Sequence, residues 1–280
     1  MIHSLTDTVL LNNGVKMPGF GLGVFQVSNE DTIFSVQKAI EAGYISIDTA
    51  QIYGNEEGVG EGIRRGLATT GKKREDLFIT TKIWNHQLDY DQTITAFNES
   101  LLKLGLDYVD LYLIHWPGNN EFLTSWKAME ELYATGKIKA IGVSNFEIHH
   151  LETLLETAKV TPVLNQVELH PRMAQKEMRS FLQEKEIAIE AWSPLMQGQL
   201  LQEPTILTLS EKYHKSAAQI ILRWHVQNEI IVIPKSIKEE RIASNADIFD
   251  FELSTEDLAL IDQLDNSTRV GPHPDTFFFE

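Results

Sequence analysis

Eight short apolar runs, each followed by a longer segment of helical period, restrict this chain to a parallel-sheet fold. The runs begin near Gly19, Ile45, Phe78, Val109, Ile138, Val163, Ile187 and Ile230. Between them, apolar residues recur at helical spacing, as in Val36, Ile40 and Tyr44, or in Ile94, Phe97, Leu101 and Leu104. Strand and helix in strict alternation give a parallel sheet, because each strand must be reached by a crossover. Eight such units are what closes a (β/α)8 TIM barrel, which typically needs about 250 residues. The chain has 280, so one barrel domain over residues 1–280 is expected.

The segments outside the alternation also read clearly. Val9-Leu10-Leu11 and Val15-Lys16-Met17 flank Asn12-Asn13-Gly14, which predicts a hairpin at the barrel bottom. Ser216 should cap a well-buried helix over Ala217–Trp224. Ser254-Thr255-Glu256-Asp257 should start an extra helix after the last strand. An irregular tail is expected from Asn266 to Glu280, with Phe277-Phe278-Phe279 free to fold over the pocket or to pack elsewhere. The rival fold is an open doubly wound sheet, which wants a dinucleotide fingerprint after the first strand. Gly19-Phe20-Gly21-Leu22-Gly23 is glycine-rich, but its spacing is GxGxG and Val24-Phe25-Gln26-Val27 follows instead of a helix.

Composition excludes several functions. The formal charge is −16, from 24 basic and 40 acidic side chains, so nucleic acid and anionic membranes are repelled overall. Cysteine is absent, which removes disulfides and thiolate chemistry. The start, Met-Ile-His-Ser-Leu-Thr-Asp-Thr, lacks a basic region and an apolar core, so a cytoplasmic protein is expected. No apolar stripe forces association, and a monomer is expected.

The chemistry gathers at strand ends. Asp48, Lys82 and His115 end three successive strands, and Tyr53 lies five residues past Asp48. In a parallel barrel such ends share one face, where sites are built. A free phenol has a pKa of about 10, too high for an efficient acid. An ammonium nearby stabilises the phenolate and lowers that value. Lys82 supplies the cation, Asp48 fixes it, and His115 can orient a carbonyl oxygen. Such a set can protonate a carbonyl, but the hydride must come from elsewhere. Each residue alone has an ordinary reading, as a snorkelling lysine, a packed tyrosine or a capping histidine. Phe25, Trp84 and Trp116 follow strand ends and would wall the site, or pack loop onto barrel.

These residues sit in longer motifs: Gly-Tyr-Ile-Ser-Ile-Asp-Thr-Ala-Gln-Ile-Tyr-Gly-Asn-Glu (43 to 56), Leu-Asp-Tyr-Val-Asp-Leu-Tyr-Leu-Ile-His-Trp-Pro (106 to 117), Gly-Lys-Ile-Lys-Ala-Ile-Gly-Val-Ser-Asn-Phe (136 to 146) and Ile-Pro-Lys-Ser (233 to 236). With them the chain resembles the aldo-keto reductases over nearly its whole length, bacterial reductases of small aldehydes such as glyoxal and methylglyoxal above all. The resemblance implies the tetrad Asp48, Tyr53, Lys82 and His115, and NADPH bound across the barrel face. It places Ser144, Asn145 and Gln166 at the nicotinamide carboxamide and Trp192 stacked on the ring, where tyrosine is common in the family. It places Ser193, Pro194, Leu195, Gln197 and Gly198 over the pyrophosphate, and Gly23 beside the cofactor. Lys235, Ser236 and Arg241 are implied at the 2′-phosphate and Asn245 at the adenine.

Other chemistries compete. No HExxH or metal triad is visible, so no metal is expected. Glu168 and Glu190 near strand ends could suggest a glycosidase, although Glu190 is expected to point away from the neighbours of Trp192. A Schiff-base aldolase could use Lys82. A cofactor-binding regulatory barrel with weak reductase activity is the remaining alternative.

Overall fold

The computed structural model describes residues 2–118 and 121–277. It opens with an antiparallel hairpin of β1 (Thr8–Leu10) and β2 (Lys16–Pro18). Gly14 in its turn has φ +84°, a conformation that glycine adopts without steric cost.

Eight parallel strands follow: β3 (Leu22–Gly23), β4 (Ser46–Asp48), β5 (Phe78–Ile83), β6 (Val109–Ile114), β7 (Ile138–Ser144), β8 (Leu164–Glu168), β9 (Ala188–Trp192) and β10 (Ile231–Val232). Each pairs with the next in chain order. The two ends of the sheet meet where Phe20 bridges Val232. Gly21 N–H donates to the Val232 carbonyl at 2.8 Å, and Val232 N–H donates to the Gly19 carbonyl at 3.3 Å. The fold is the (β/α)8 barrel expected from the alternation. The glycine-rich run is its seam. A Cβ at Gly21 would stand 2.9 Å from that of Ser46, and one at Gly23 would stand 2.8 Å from the Ile233 carbonyl oxygen.

Helices α1 (Asn29–Glu41), α2 (Glu56–Thr70), α3 (Tyr90–Leu104), α4 (Phe122–Ala134), α5 (Ile148–Leu155) and α6 (Lys176–Glu184) follow β3 to β8 singly. Two helices, α7 (Pro204–Tyr213) and α8 (Ala217–Gln227), follow β9, and α9 (Glu239–Ala246) and α10 (Thr255–Asp262) follow β10. The periodic residues Val36, Ile40, Phe97, Leu101 and Leu104 are buried as their spacing predicts. Ser216 caps α8 in a reciprocal box with Gln219, and Ser254 caps α10. No helix among the described residues is long and apolar enough to cross a membrane.

Strand alternation sorts the sheet into two faces. Ile79, Ile83, Tyr112, Ile114, Ile141 and Val143 face the helices in the main core. Phe78, Leu111, Leu113, Ala140, Leu164 and Ile231 form a second apolar cluster with Leu11 and Met17 of the hairpin. The hairpin therefore plugs the bottom of the barrel interior. One level higher, the inward positions become polar: Asp48, Lys82, His115, Ser144, Gln166 and Glu190 are all buried.

The plug gives a direct test. Met17 is fully buried, whereas its hairpin neighbour Leu10 is 68% exposed. Met17→Ala should destabilise the protein by about 2–5 kcal/mol, and Leu10→Ala by no more than about 0.5 kcal/mol. Urea unfolding of both variants checks this.

Candidate active site

The residues expected to act together are brought together. Lys82 Nζ donates to Asp48 Oδ1 at 2.6 Å and to the Thr49 carbonyl at 2.9 Å, and it lies 3.5 Å from the Tyr53 hydroxyl. Tyr53 closes a 3-10 turn, Gln51–Tyr53, directly above β4, and Gly54 at φ +66° ends it. This turn bends the chain back so that the phenol reaches over the strand end. His115 sits just past β6, its ring centroid 5.5 Å from that of Tyr53.

Burial dominates the protonation of this group. It works against the Lys82 charge, but Asp48 and Tyr53 outweigh it and hold Lys82 above the usual lysine value. Burial also raises the Asp48 carboxyl against the pull of Lys82. It pushes the Tyr53 phenol up, with Lys82 only partly offsetting the rise. The ammonium was expected to lower the Tyr53 value, and here the low-dielectric surroundings win. Burial, together with the Lys82 charge, pushes His115 well below the usual histidine value, so its ring is neutral. His115 Nδ1 is buried without a hydrogen-bond partner. A buried lone pair is tolerated more often than a buried orphan N–H, which puts the ring proton on Nε2.

The residues expected at the cofactor fall into three groups. Ser144, Asn145, Gln166 and Trp192 form one network. Ser144 Oγ donates to the Gln166 carbonyl at 2.9 Å, Asn145 Nδ2 donates to the His115 carbonyl at 3.0 Å, and Trp192 Nε1 donates to Asn145 Oδ1 at 2.8 Å. Asn145 holds φ +62°. The second group is the loop after β9. Ser193, Met196, Gln197 and Gly198 have φ of +49°, +50°, +53° and +89°, while Pro194 and Leu195 lie between them. The three non-glycine residues among them, Ser193, Met196 and Gln197, carry strain, which gathers at ligand clamps. The third group is the β10–α9 connection. Gly23 N–H donates to the Pro234 carbonyl at 3.3 Å, tying the seam to the run that carries Lys235 and Ser236. Lys235 and Arg241 are exposed, whereas Ser236 and Asn245 are buried. Glu239 is drawn to Lys38 at 3.2 Å, and no salt bridge engages Lys235 or Arg241 among the described residues. Two such cations fit a doubly charged phosphate.

Of the aromatic walls, Phe25 is 54% exposed and its ring centroid lies 5.0 Å from that of Tyr53. Trp84 meets His115 edge-on at 5.2 Å. Trp116 is buried and packs on Phe277 of the tail at 4.6 Å, so it backs the wall and is itself covered. Phe278 and Phe279 lie outside the described residues. The described tail is irregular, as expected.

The two carboxylates read as a possible glycosidase pair have other roles. Glu168 accepts the backbone N–H groups of Val270 and Gly271 at 2.6 and 3.0 Å and faces His170 at 3.1 Å. Burial pushes Glu168 up, but these hydrogen bonds outweigh it and hold the carboxyl below its usual value. It anchors the tail where Gly271 passes the Trp192 ring, so close that a Cβ would stand 2.3 Å from Cη2. Glu190 corrects an expectation. Residues two apart on a strand share a face, so Glu190 points inward with Trp192. It accepts from Gln166 Nε2 at 2.6 Å, and the same nitrogen donates to Asp48 Oδ2 at 2.9 Å. Counting inward positions from Lys82 and Gln166 would have found it.

The rival chemistries weaken on geometry. Glu168 and Glu190 are committed to separate partners. Lys82 is held as an ammonium, while a Schiff base needs a free amine. His149, His150 and Asp275 come together although no such triad was expected. His150 Nδ1 accepts from the Glu147 N–H at 3.1 Å, so a neutral ring carries its proton on Nε2, facing Asp275 at 3.6 Å. That is a tail anchor. A cleft of about 680 Å³ at the barrel bottom, lined by Ile2, Leu10, Arg179 and Asn228, touches none of the tetrad.

A closed parallel barrel with a buried Asp–Lys pair below a tyrosine and a neutral histidine is a site built to protonate a carbonyl oxygen. Residues 19–266 match the aldo/keto reductase family, and the chain belongs to it. It is 57% identical to the glyoxal reductase of Bacillus subtilis over 280 residues, all of both chains. It is 48% identical to the methylglyoxal reductase DkgA of Escherichia coli K12 over 273 residues, 96% of this chain and 97% of that one. The solved structure of a Gox0644 mutant in complex with NADPH superposes with a TM-score of 0.93 at 40% identity, covering 98% of this chain and 99% of that one.

The buried Glu190 carboxyl yields a pH test. Burial and then Asp48 raise it from 4.5 to about 8. A carboxyl raised on folding stabilises fully below its unfolded value and loses that contribution as pH rises through the folded one. Glu190→Gln removes the titration, so its melting temperature relative to wild type should climb between pH 5 and pH 9. Thermal melts across that range would show a constant difference if the site holds no extra proton.

Proposed function

We propose that this chain reduces small aldehydes, glyoxal and methylglyoxal among them, to alcohols with NADPH, and that Tyr53 delivers the proton. The observation that carries the roles is the Lys82–Asp48 pair at 2.6 Å, aimed at the Tyr53 hydroxyl. NADPH, when bound, supplies the hydride to the carbonyl carbon. Tyr53 rests as a neutral phenol and so carries the proton for the carbonyl oxygen, but burial makes it a weak acid and the transfer depends on Lys82. As that proton leaves, the Lys82 ammonium stabilises the phenolate that forms, and Asp48 keeps Lys82 charged and in place. His115, neutral and protonated on Nε2, donates to the carbonyl oxygen and aligns it with Tyr53.

Ser144, Asn145 and Gln166 would hold the nicotinamide carboxamide, and Trp192 would stack on the ring. The Asn145 carbonyl oxygen already accepts from Trp192 and has a second lone pair to offer. Gly23 and the loop of Ser193, Pro194, Leu195, Gln197 and Gly198 would lie along the pyrophosphate. Lys235, Ser236 and Arg241 would take the 2′-phosphate, with Asn245 toward the adenine. Phe25 and Trp84 line the approach of the carbonyl, with Trp116 behind. The substrate reading is supported by the names of two relatives, glyoxal reductase and methylglyoxal reductase.

One domain over residues 1–280, acting as a cytoplasmic monomer, completes the proposal. Exposed apolar side chains such as Leu10, Phe34, Leu102 and Leu260 lie singly on β1, α1, α3 and α10, the pattern of an ordinary surface. Sedimentation would check the monomer.

Loss of NADPH absorbance with methylglyoxal, glyoxal and an aromatic aldehyde tests the activity, with NADH run in parallel. Tight NADPH binding without turnover on any of them would favour the regulatory alternative. Tyr53→Phe should lower kcat by roughly 10²–10⁴ and leave the NADPH dissociation constant within about threefold. Turnover at the wild-type rate would remove Tyr53 as the donor. Lys235→Ala and Arg241→Ala should each weaken NADPH binding roughly ten- to a hundredfold and barely change NADH binding. Equal losses for both cofactors would place the 2′-phosphate elsewhere.

A further inference from the structure

Gln166 and Glu190 are direct neighbours across β8 and β9. Gln166 Nε2 has two hydrogens, and two carboxyl oxygens take them: Asp48 Oδ2 at 2.9 Å and Glu190 Oε2 at 2.6 Å. Turning the amide over would set its carbonyl oxygen against the Asp48 carboxylate, which can only accept. The orientation is therefore forced, and Gln166 Oε1 is left without a partner among the described residues. A nicotinamide carboxamide carries both a donor and an acceptor, so a neighbour that could flip would accept either rotamer of it. A fixed acceptor selects one.

We propose that Glu190 is a positioning residue for the nicotinamide end of the cofactor: with Asp48 it holds both amide hydrogens of Gln166, so that only the Gln166 carbonyl oxygen meets the carboxamide. This rests on the reading of Gln166 as a carboxamide partner. The groups whose charge reaches Glu190 are Asp48 and Lys82, and Glu190 in turn acts on Tyr53. On its other side the paired residue is the apolar Ile231. One ammonium thus serves two buried carboxyls, and the second carboxyl keeps its proton at neutral pH. Above about pH 8 it ionises, which adds a negative charge close to a ring that is positive only when oxidised. The same contact therefore makes the preference between NADP⁺ and NADPH depend on pH.

The test is equilibrium binding of NADPH and NADP⁺, followed by quenching of tryptophan fluorescence, in wild type, Glu190→Leu, Glu190→Gln, Gln166→Ala and the Gln166→Ala/Glu190→Leu double variant. Glu190→Leu should weaken NADPH binding by roughly tenfold, the loss of one buried hydrogen bond. Glu190→Gln, whose side-chain oxygen can still accept, should lose about threefold or less. In the Gln166→Ala background, Glu190→Leu should change binding by less than about twofold, because its effect passes through Gln166. NADP⁺ affinity relative to NADPH should rise from pH 7 to pH 9 in wild type and stay flat in Glu190→Gln. Equal losses from Glu190→Leu in both backgrounds would mean a structural role and overturn the proposal, as would near-wild-type binding by Glu190→Leu. Wild-type binding by Gln166→Ala would instead remove the reading of Gln166 on which the proposal stands. If thermal melts show that Glu190→Leu does not fold, Glu190→Gln decides: a pH step unchanged from wild type overturns the proposal, and a flat profile supports it.

Discussion

The Lys82 ammonium lies wholly inside the barrel, 2.6 Å from the Asp48 carboxylate, and the rest of the upper interior is arranged around that pair. Removing two ions from water costs several kcal/mol each, which their attraction offsets only when the remaining hydrogen-bonding capacity is also met. Here it is met from several strands. The Thr49 carbonyl takes a second hydrogen from Lys82, and Gln166 gives one to the free oxygen of Asp48. Glu190 then takes the other Gln166 hydrogen. A polar layer built this way stays ordered because each member would be left unsatisfied if another moved.

That layer stands on an apolar one. Met17 and Leu11 close the barrel from below, and Phe78, Leu111 and Leu164 fill the level above them. The same three strands then switch to Lys82, His115 and Gln166 at their upper ends. The gradient along each strand, from packing to chemistry, excludes water from the ion pair on one side and leaves the mouth to a ligand on the other. At the mouth, the tail is tied down by Glu168, by Arg269 to Glu147 at 2.7 Å and by Phe277 against Trp116. Its path past Trp192 needs Gly271.

Much of this was legible in the chain. Asp48, Tyr53, Lys82 and His115 were readable because each ends or follows an apolar run, and parallel strands bring their ends to one face. The hairpin plug followed from Asn12-Asn13-Gly14 flanked by Val9-Leu10-Leu11 and Val15-Lys16-Met17. Glu190 was misread because its role depends on which face a strand turns inward, and a simple count of twos from Trp192 would have corrected it. The Tyr53 shift was misjudged for another reason: sequence gives the neighbouring charge but not the degree of burial, and burial proved the larger effect.

What the sequence determined by itself was local and periodic: the eight strands, their helices, their caps and the residue types at each strand end. Those features left an open sheet possible, and closure follows from each strand pairing with the next in chain order until Val232 meets Phe20. What only the tertiary structure decided was lateral. The seam between Phe20 and Val232, the two carboxyls sharing the amide of Gln166, the tail held by Glu168 and the His150–Asp275 contact all join residues far apart in the chain. Their physical basis is the satisfaction of buried polar groups, and the partner that satisfies each one is fixed by strand register and packing, which no local pattern encodes.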